Sequence, residues 1–200
     1  MTALLQLSRW IDALNERVGK SVSWLVLAAV VISALNAVVR KVFNTSSNAF
    51  LEIQWYLFAA VFLLGAGYTM LRQEHVRIDV VLSRFSKPVQ IKIEIFGIVC
   101  FLFPLVIVVV DLVAPLVIQA YVTQEMSSNA GGLIRWPVFA LVPAGFALLG
   151  LQGLSELIKR VAFLKGLVED PTEKKVAKTA EEELAEAILA AEQKKKGAAL

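Results

Sequence analysis

EIQWYLFAAVFLLGAGYTMLRQEHVRIDVV, residues 52–81, holds a complete membrane crossing followed at once by a charged exit. No charge interrupts the stretch from Trp55 to Leu71. With the lead-in from Phe50 it is close to the roughly 20 apolar residues that span about 30 Å of hydrocarbon. At 100° per residue, Glu52, Tyr56, Ala59, Leu63, Ala66 and Met70 share one helix face, with Ala60 and Gly67 beside them. Small residues let helix backbones approach in lipid, so this face is a contact face. It either meets a partner protein or packs on the chain's own helices. Beyond the helix, His75, Arg77 and Asp79 alternate with the aliphatic residues Val76, Ile78 and Val80, a pattern that membrane insertion alone does not require.

The rest of the chain has the same character. Of its 200 residues 58% are hydrophobic and the mean hydropathy is +0.68, well above the roughly 45–50% apolar content of soluble domains, which makes it an integral membrane protein. Toward the N-terminus, Leu4, Leu7, Ile11, Leu14 and Val18 recur at helical spacing beside Trp10, and predict an amphipathic interfacial helix over 1–21. The predicted fold is all-α, with four transmembrane helices at about 22–39, 50–71, 91–111 and 137–158 arranged as two hairpins within residues 22–160. A charged tail occupies 161–200, where Leu184, Ile188 and Ala191 form a narrow apolar stripe.

Polar residues near the ends of the crossings are the candidates for a site. Asn36 and Arg40 fall on one stripe of the first crossing, and the turn KVFNTSSNAF (41–50) returns Glu52 to the level of Arg40, so an Arg40–Glu52 pair is expected at the outer rim. Asp111, counted about 27 Å along the third crossing from Ile93, is expected at the outer rim as well. Pro104 and Pro115 are expected to bend that helix. Cys100 is the single cysteine and excludes an intrachain disulfide; His75 is the single histidine and excludes a bis-His haem anchor. With no metal-ligating or nucleophilic constellation, no catalytic residue, cofactor site or metal site is expected, and neither is a nucleic-acid partner.

Three stretches together, RQEHVRIDVV (72–81) after GAGY (65–68), the helix start EIQWYLF (52–58), and NAVVRKVFN (36–44), resemble the small membrane subunit of tripartite ATP-independent periplasmic (TRAP) transporters, over roughly residues 20–160. The resemblance implies a partnership with a large elevator-type permease and a periplasmic substrate-binding protein in sodium-coupled uptake of organic acids. By that resemblance sodium ions bind the large subunit, and this chain anchors the static scaffold in membrane lipid. It implies partner-contact or structural roles for Asn36, Arg40, Glu52, Tyr56, Ala59, Leu63, Ala66, His75, Arg77 and Asp79. Two other readings stay open: a membrane anchor of a different complex, and an autonomous small transporter, against which the aliphatic centres of the crossings argue.

Charge sets the expected orientation. With the N-terminus inside, only Arg40, Lys41 and Arg135 among the 20 Lys and Arg lie in outer loops, so the bias places both termini in the cytoplasm of a bacterial inner-membrane protein. Reporter fusions after Leu200 and within the 124–132 link are therefore expected to give opposite topology signals, and matching signals would exclude four crossings.

Overall fold

Each of the four long helices ends where the next residue or two enters left-handed backbone. The computed structural model describes residues 2–44, 47–74, 82 and 84–168. Its helices are α1 (Thr2–Phe43), α2 (Asn48–Leu71), α3 (Lys87–Val122) and α4 (Trp136–Leu164), each long and apolar enough to cross a membrane. Asn44, Gln73, Gln124 and Gly166, with φ of 50°, 54°, 50° and 69°, follow them, the conformation that terminates a helix by turning the chain away from its axis. At the other ends, Ser86 precedes Pro88 in α3, and Pro137 sits in the first turn of α4, where a missing N–H leaves no helical bond unmade.

The stretches read separately as 1–21 and 22–39 form one helix of 42 residues. No proline or turn sequence lies between them, and Gly19, which could have weakened the helix, instead receives the ring of Tyr68 from α2. Leu4, Leu7, Trp10 and Leu14 stay exposed, while Ser8, Ile11 and Asn15 turn inward. The third helix also differs from its expected bounds, running past Asp111 to Val122 rather than ending there. Within it a π-turn spans Ile98–Leu102, immediately ahead of Pro104. Pro104 has no N–H to offer the preceding turn, and the wider i to i+5 pattern, in which the Phe103 N–H reaches the Ile98 carbonyl, takes up the interruption.

Helix α4 is the hub, packing on α1, α2 and α3, while α2 also packs along α1. The bundle carries its largest aromatic side chains outside. Ala29, Ala60, Ala120 and Ala162 are buried beside Ile11, Val22, Ile91, Ile98 and Ile158, whereas Trp24, Trp55 and Phe62 are 71%, 75% and 80% exposed. That inversion suits lipid, in which apolar side chains gain little by hiding and helices associate through close backbone packing. Backbone itself is the obstacle at Gly145, where a Cβ would stand 2.6 Å from the Leu63 carbonyl oxygen; at Gly150 and Gly153 it would meet Val106 and Leu102 of α3 at 3.0 and 2.5 Å. The contact face expected on α2 therefore serves the chain's own bundle, with Leu63 seated against α4.

Gly145→Ala is expected to destabilise the purified protein by about 1–3 kcal/mol, because the obstacle is backbone that has nowhere to move. Gly97→Ala, where nothing lies within 4 Å, is the matched control and is expected to be neutral or stabilising. Thermal unfolding in detergent compares the two.

Candidate functional site

At one rim of the bundle the first turn of α2 holds the loop between α3 and α4. Asn129 Nδ2 donates to Glu52 Oε1 at 2.7 Å, the Ser127 hydroxyl donates to the same oxygen, and the Leu133 N–H donates to Oε2 at 2.7 Å. Tyr56, one turn further on, donates its hydroxyl to the Ile134 carbonyl at 3.1 Å, and Asn48 Nδ2 donates to the Ala130 carbonyl at 3.0 Å. The loop closes on itself through an isolated antiparallel bridge of Met126 with Ile134 and a 2.8 Å ion pair of Arg135 with Glu125. Gly132 is required here: a Cβ would stand 2.6 Å from Ser127 Cβ and 2.9 Å from Glu52 Oε1. The Tyr121 and Trp136 rings meet edge to face at 5.4 Å and mark the same level on α3 and α4.

The Arg40–Glu52 pair expected from the turn is thus replaced. Among the described residues no ion pair joins them, because three loop donors already occupy the carboxylate and Arg40 is exposed on α1. Arg40 instead lines an open groove between α1 and α2 with Ser33, Asn36, Lys41 and Gln54. Asn36 is 8% exposed, and its Oδ1 has no hydrogen-bond partner. Ala59 and Ala66 are half-buried along α2. His75, Arg77 and Asp79 lie outside the described residues, as does the tail from 169 onward.

A second polar assembly, toward the opposite end of the bundle, was not singled out by sequence reasoning. Ser8 and Ser155 hydroxyls meet at 2.7 Å, Asn15 Nδ2 donates to Gln152 Oε1 at 3.0 Å, and Gln152 Nε2 donates to Asp12 Oδ1 at 2.9 Å. Asp12 also accepts from the Ser155 hydroxyl at 2.6 Å and pairs with Lys159 at 3.2 Å. Glu156 bridges Lys159 and Arg160, and Arg160 reaches Glu94 of α3 at 2.7 Å. Gln152, Ser155, Glu156 and Arg160 are all buried. The signal was in the spacing: Gln152, Ser155, Glu156 and Lys159 repeat at i, i+3, i+4 and i+7, and Ser8, Asp12 and Asn15 at i, i+4 and i+7, so each set forms one polar stripe.

Chemically, both assemblies answer their charges internally, although Asn15 Oδ1 is buried without a hydrogen-bond partner. Each buried charge is answered by donors or counter-charges within the chain, and no group of three or more potential metal-ligating side chains occurs among the described residues. Such arrangements lock helices together, because removing one member strands the others away from water. Glu52→Ala is accordingly expected to lower the thermal midpoint and expose the 124–135 loop to protease. Glu52→Gln, which keeps one acceptor oxygen, is expected to do so less. Equal stability of both variants with the parent would remove the anchoring role.

No curated protein and no solved structure matches the chain. Residues 28–163 match the family described as "Tripartite ATP-independent periplasmic transporters, DctQ component". That match takes in both hairpins, from the middle of α1 to the last turn of α4, with the Glu52-anchored loop and the polar stripe of α4 inside it. On this evidence the chain is a multi-pass membrane protein that belongs to the DctQ component family of tripartite ATP-independent periplasmic transporters.

Proposed function

We propose that this chain is the small, non-catalytic subunit of such a transporter, forming a one-to-one complex with a large permease and holding its static part level in the bacterial inner membrane. The large subunit then moves organic acids with sodium by an elevator motion, after delivery by a periplasmic binding protein, and carries the sodium sites itself. This chain binds no cofactor, and both of its termini face the cytoplasm. Family membership supports the partnership. The observation that carries the scaffold reading is the closure of the buried charges: Glu52, Glu156 and Arg160 all bond within the chain. A solute path through this chain needs polar groups free to exchange with the solute inside the bundle, near the membrane centre. Here the centre of the bundle is taken up by contacts such as Gly145 on Leu63 and Gly150 on Val106. The outward exposure of Leu4, Leu7, Trp10 and Leu14 supports lipid contact by the N-terminal part of α1.

Transport in proteoliposomes tests the proposal. With this chain, the large subunit and the binding protein together, a sodium gradient is expected to drive uptake, and this chain with the binding protein alone is expected to give none. Uptake by this chain without the large subunit overturns the scaffold reading. Full uptake by the large subunit without this chain shows that the scaffold is dispensable.

A further inference from the structure

The packing of α3 on α4 puts one carboxylate at the middle of the membrane, on the outside of the bundle. Glu52 and Arg72 lie twenty residues apart on α2 and its C-cap. That is about 30 Å of helix, the thickness of the hydrocarbon layer, so they mark its two rims. Leu63, roughly midway between them, seats against Gly145 of α4. On the other side of α4, Gly150 meets Val106 of α3, and Trp136 meets Tyr121. Asp111, five residues beyond Val106 and ten before Tyr121, therefore falls opposite about Gly145, at mid-depth. Counting from Ile93 had put it at the rim. That count started too deep on the inner side, because Glu94 already belongs to the inner polar layer through Arg160.

Asp111 is exposed and pairs with no described side chain. Around it Ile107, Leu112 and Ile118 are 67%, 70% and 62% exposed. Pro115, one turn on, has no N–H, so the Asp111 carbonyl also lacks its ordinary helical donor. Two oxygen-bearing groups, one of them a carboxyl, thus stand on a single apolar face at a depth where lipid supplies no hydrogen bond. A second copy of this chain related by two-fold symmetry would set acceptor against acceptor. An Arg or Lys side chain would answer both, and a guanidinium has enough donors to do so at once.

We infer that the Asp111 face of α3 docks a transmembrane helix of the large permease that presents an Arg or Lys at mid-membrane depth. This rests on the small-subunit reading above and names the face that reading leaves open. The test uses the full chain co-expressed with the large subunit. A photo-crosslinking residue at Leu112, with Asp111 intact, is expected to yield an adduct with the mass of both subunits. In parallel, Asp111→Leu is expected to reduce the large subunit retained on the tagged chain at least about tenfold, since it strands the partner's cation, while the variant itself accumulates in the membrane. Asp111→Asn, still an acceptor, is expected to retain more than Asp111→Leu. Labelling of lipid only, an adduct between two copies of this chain, or undiminished retention by Asp111→Leu overturns the inference. Should Asp111→Leu fail to accumulate, the crosslink decides alone. Failure of the unaltered chain to retain the large subunit would instead overturn the small-subunit reading, which separates the two.

Discussion

Lipid offers neither donor nor acceptor, so each polar group inside this bundle has to find its partner in protein. Helix α4 is where that requirement is met. Ahead of its first turn, the loop that feeds it is tied to α2 by the Glu52 carboxylate, and toward its other end Gln152, Ser155, Lys159 and Arg160 bond to α1 and α3. Between those ends it carries Gly145, Gly150 and Gly153, which let α2 and α3 approach until backbone and side chain touch. The three zones share one helix and therefore one register. A rotation of α4 by one residue would misplace the glycines and both polar assemblies together.

The same arrangement separates rigidity from lipid contact. Alanines, glycines and a few isoleucines occupy the interior, and Trp10, Trp24, Trp55, most phenylalanines and many branched aliphatics face outward. In water such a protein would be inside out; in a bilayer the outward residues meet a medium as apolar as themselves, and stability comes from packing and from the two polar assemblies. A body of this kind, with its buried charges answered internally, is what the proposed static role calls for. Asp111 stands apart from that economy. It is the acceptor that the described bundle carries at mid-depth without supplying a donor, and the π-turn and prolines of α3 shape the helix around it.

Much of this was legible in the residues. Long uncharged runs announced the crossings, because their length matches the hydrocarbon thickness, and the stretches 36–44, 52–58, 65–68 and 72–81 carried the family resemblance that the match over 28–163 bears out. Glu52 stood out as an acid at the head of an apolar helix. Its partners did not, since Ser127, Asn129 and the Leu133 N–H lie more than seventy residues away in a loop whose fold depends on Gly132. The polar stripe of α4 was visible as a period but not as a pair, for a stripe gains meaning only from the helix opposite it.

By itself the sequence determined that the chain is helical, that it crosses the membrane, and which family it belongs to. Those properties follow from local composition, from helical period, and from short motifs read along one strand of residues. Only the tertiary structure decided that residues 2–43 form a single helix, that the Glu52, Tyr56 and Leu63 face turns inward, and that Asp111 lies opposite about Gly145. Depth in a membrane and choice of neighbour are set by how helices are staggered against one another. That stagger is a sum of contacts between distant residues, to which no single stretch of sequence has access.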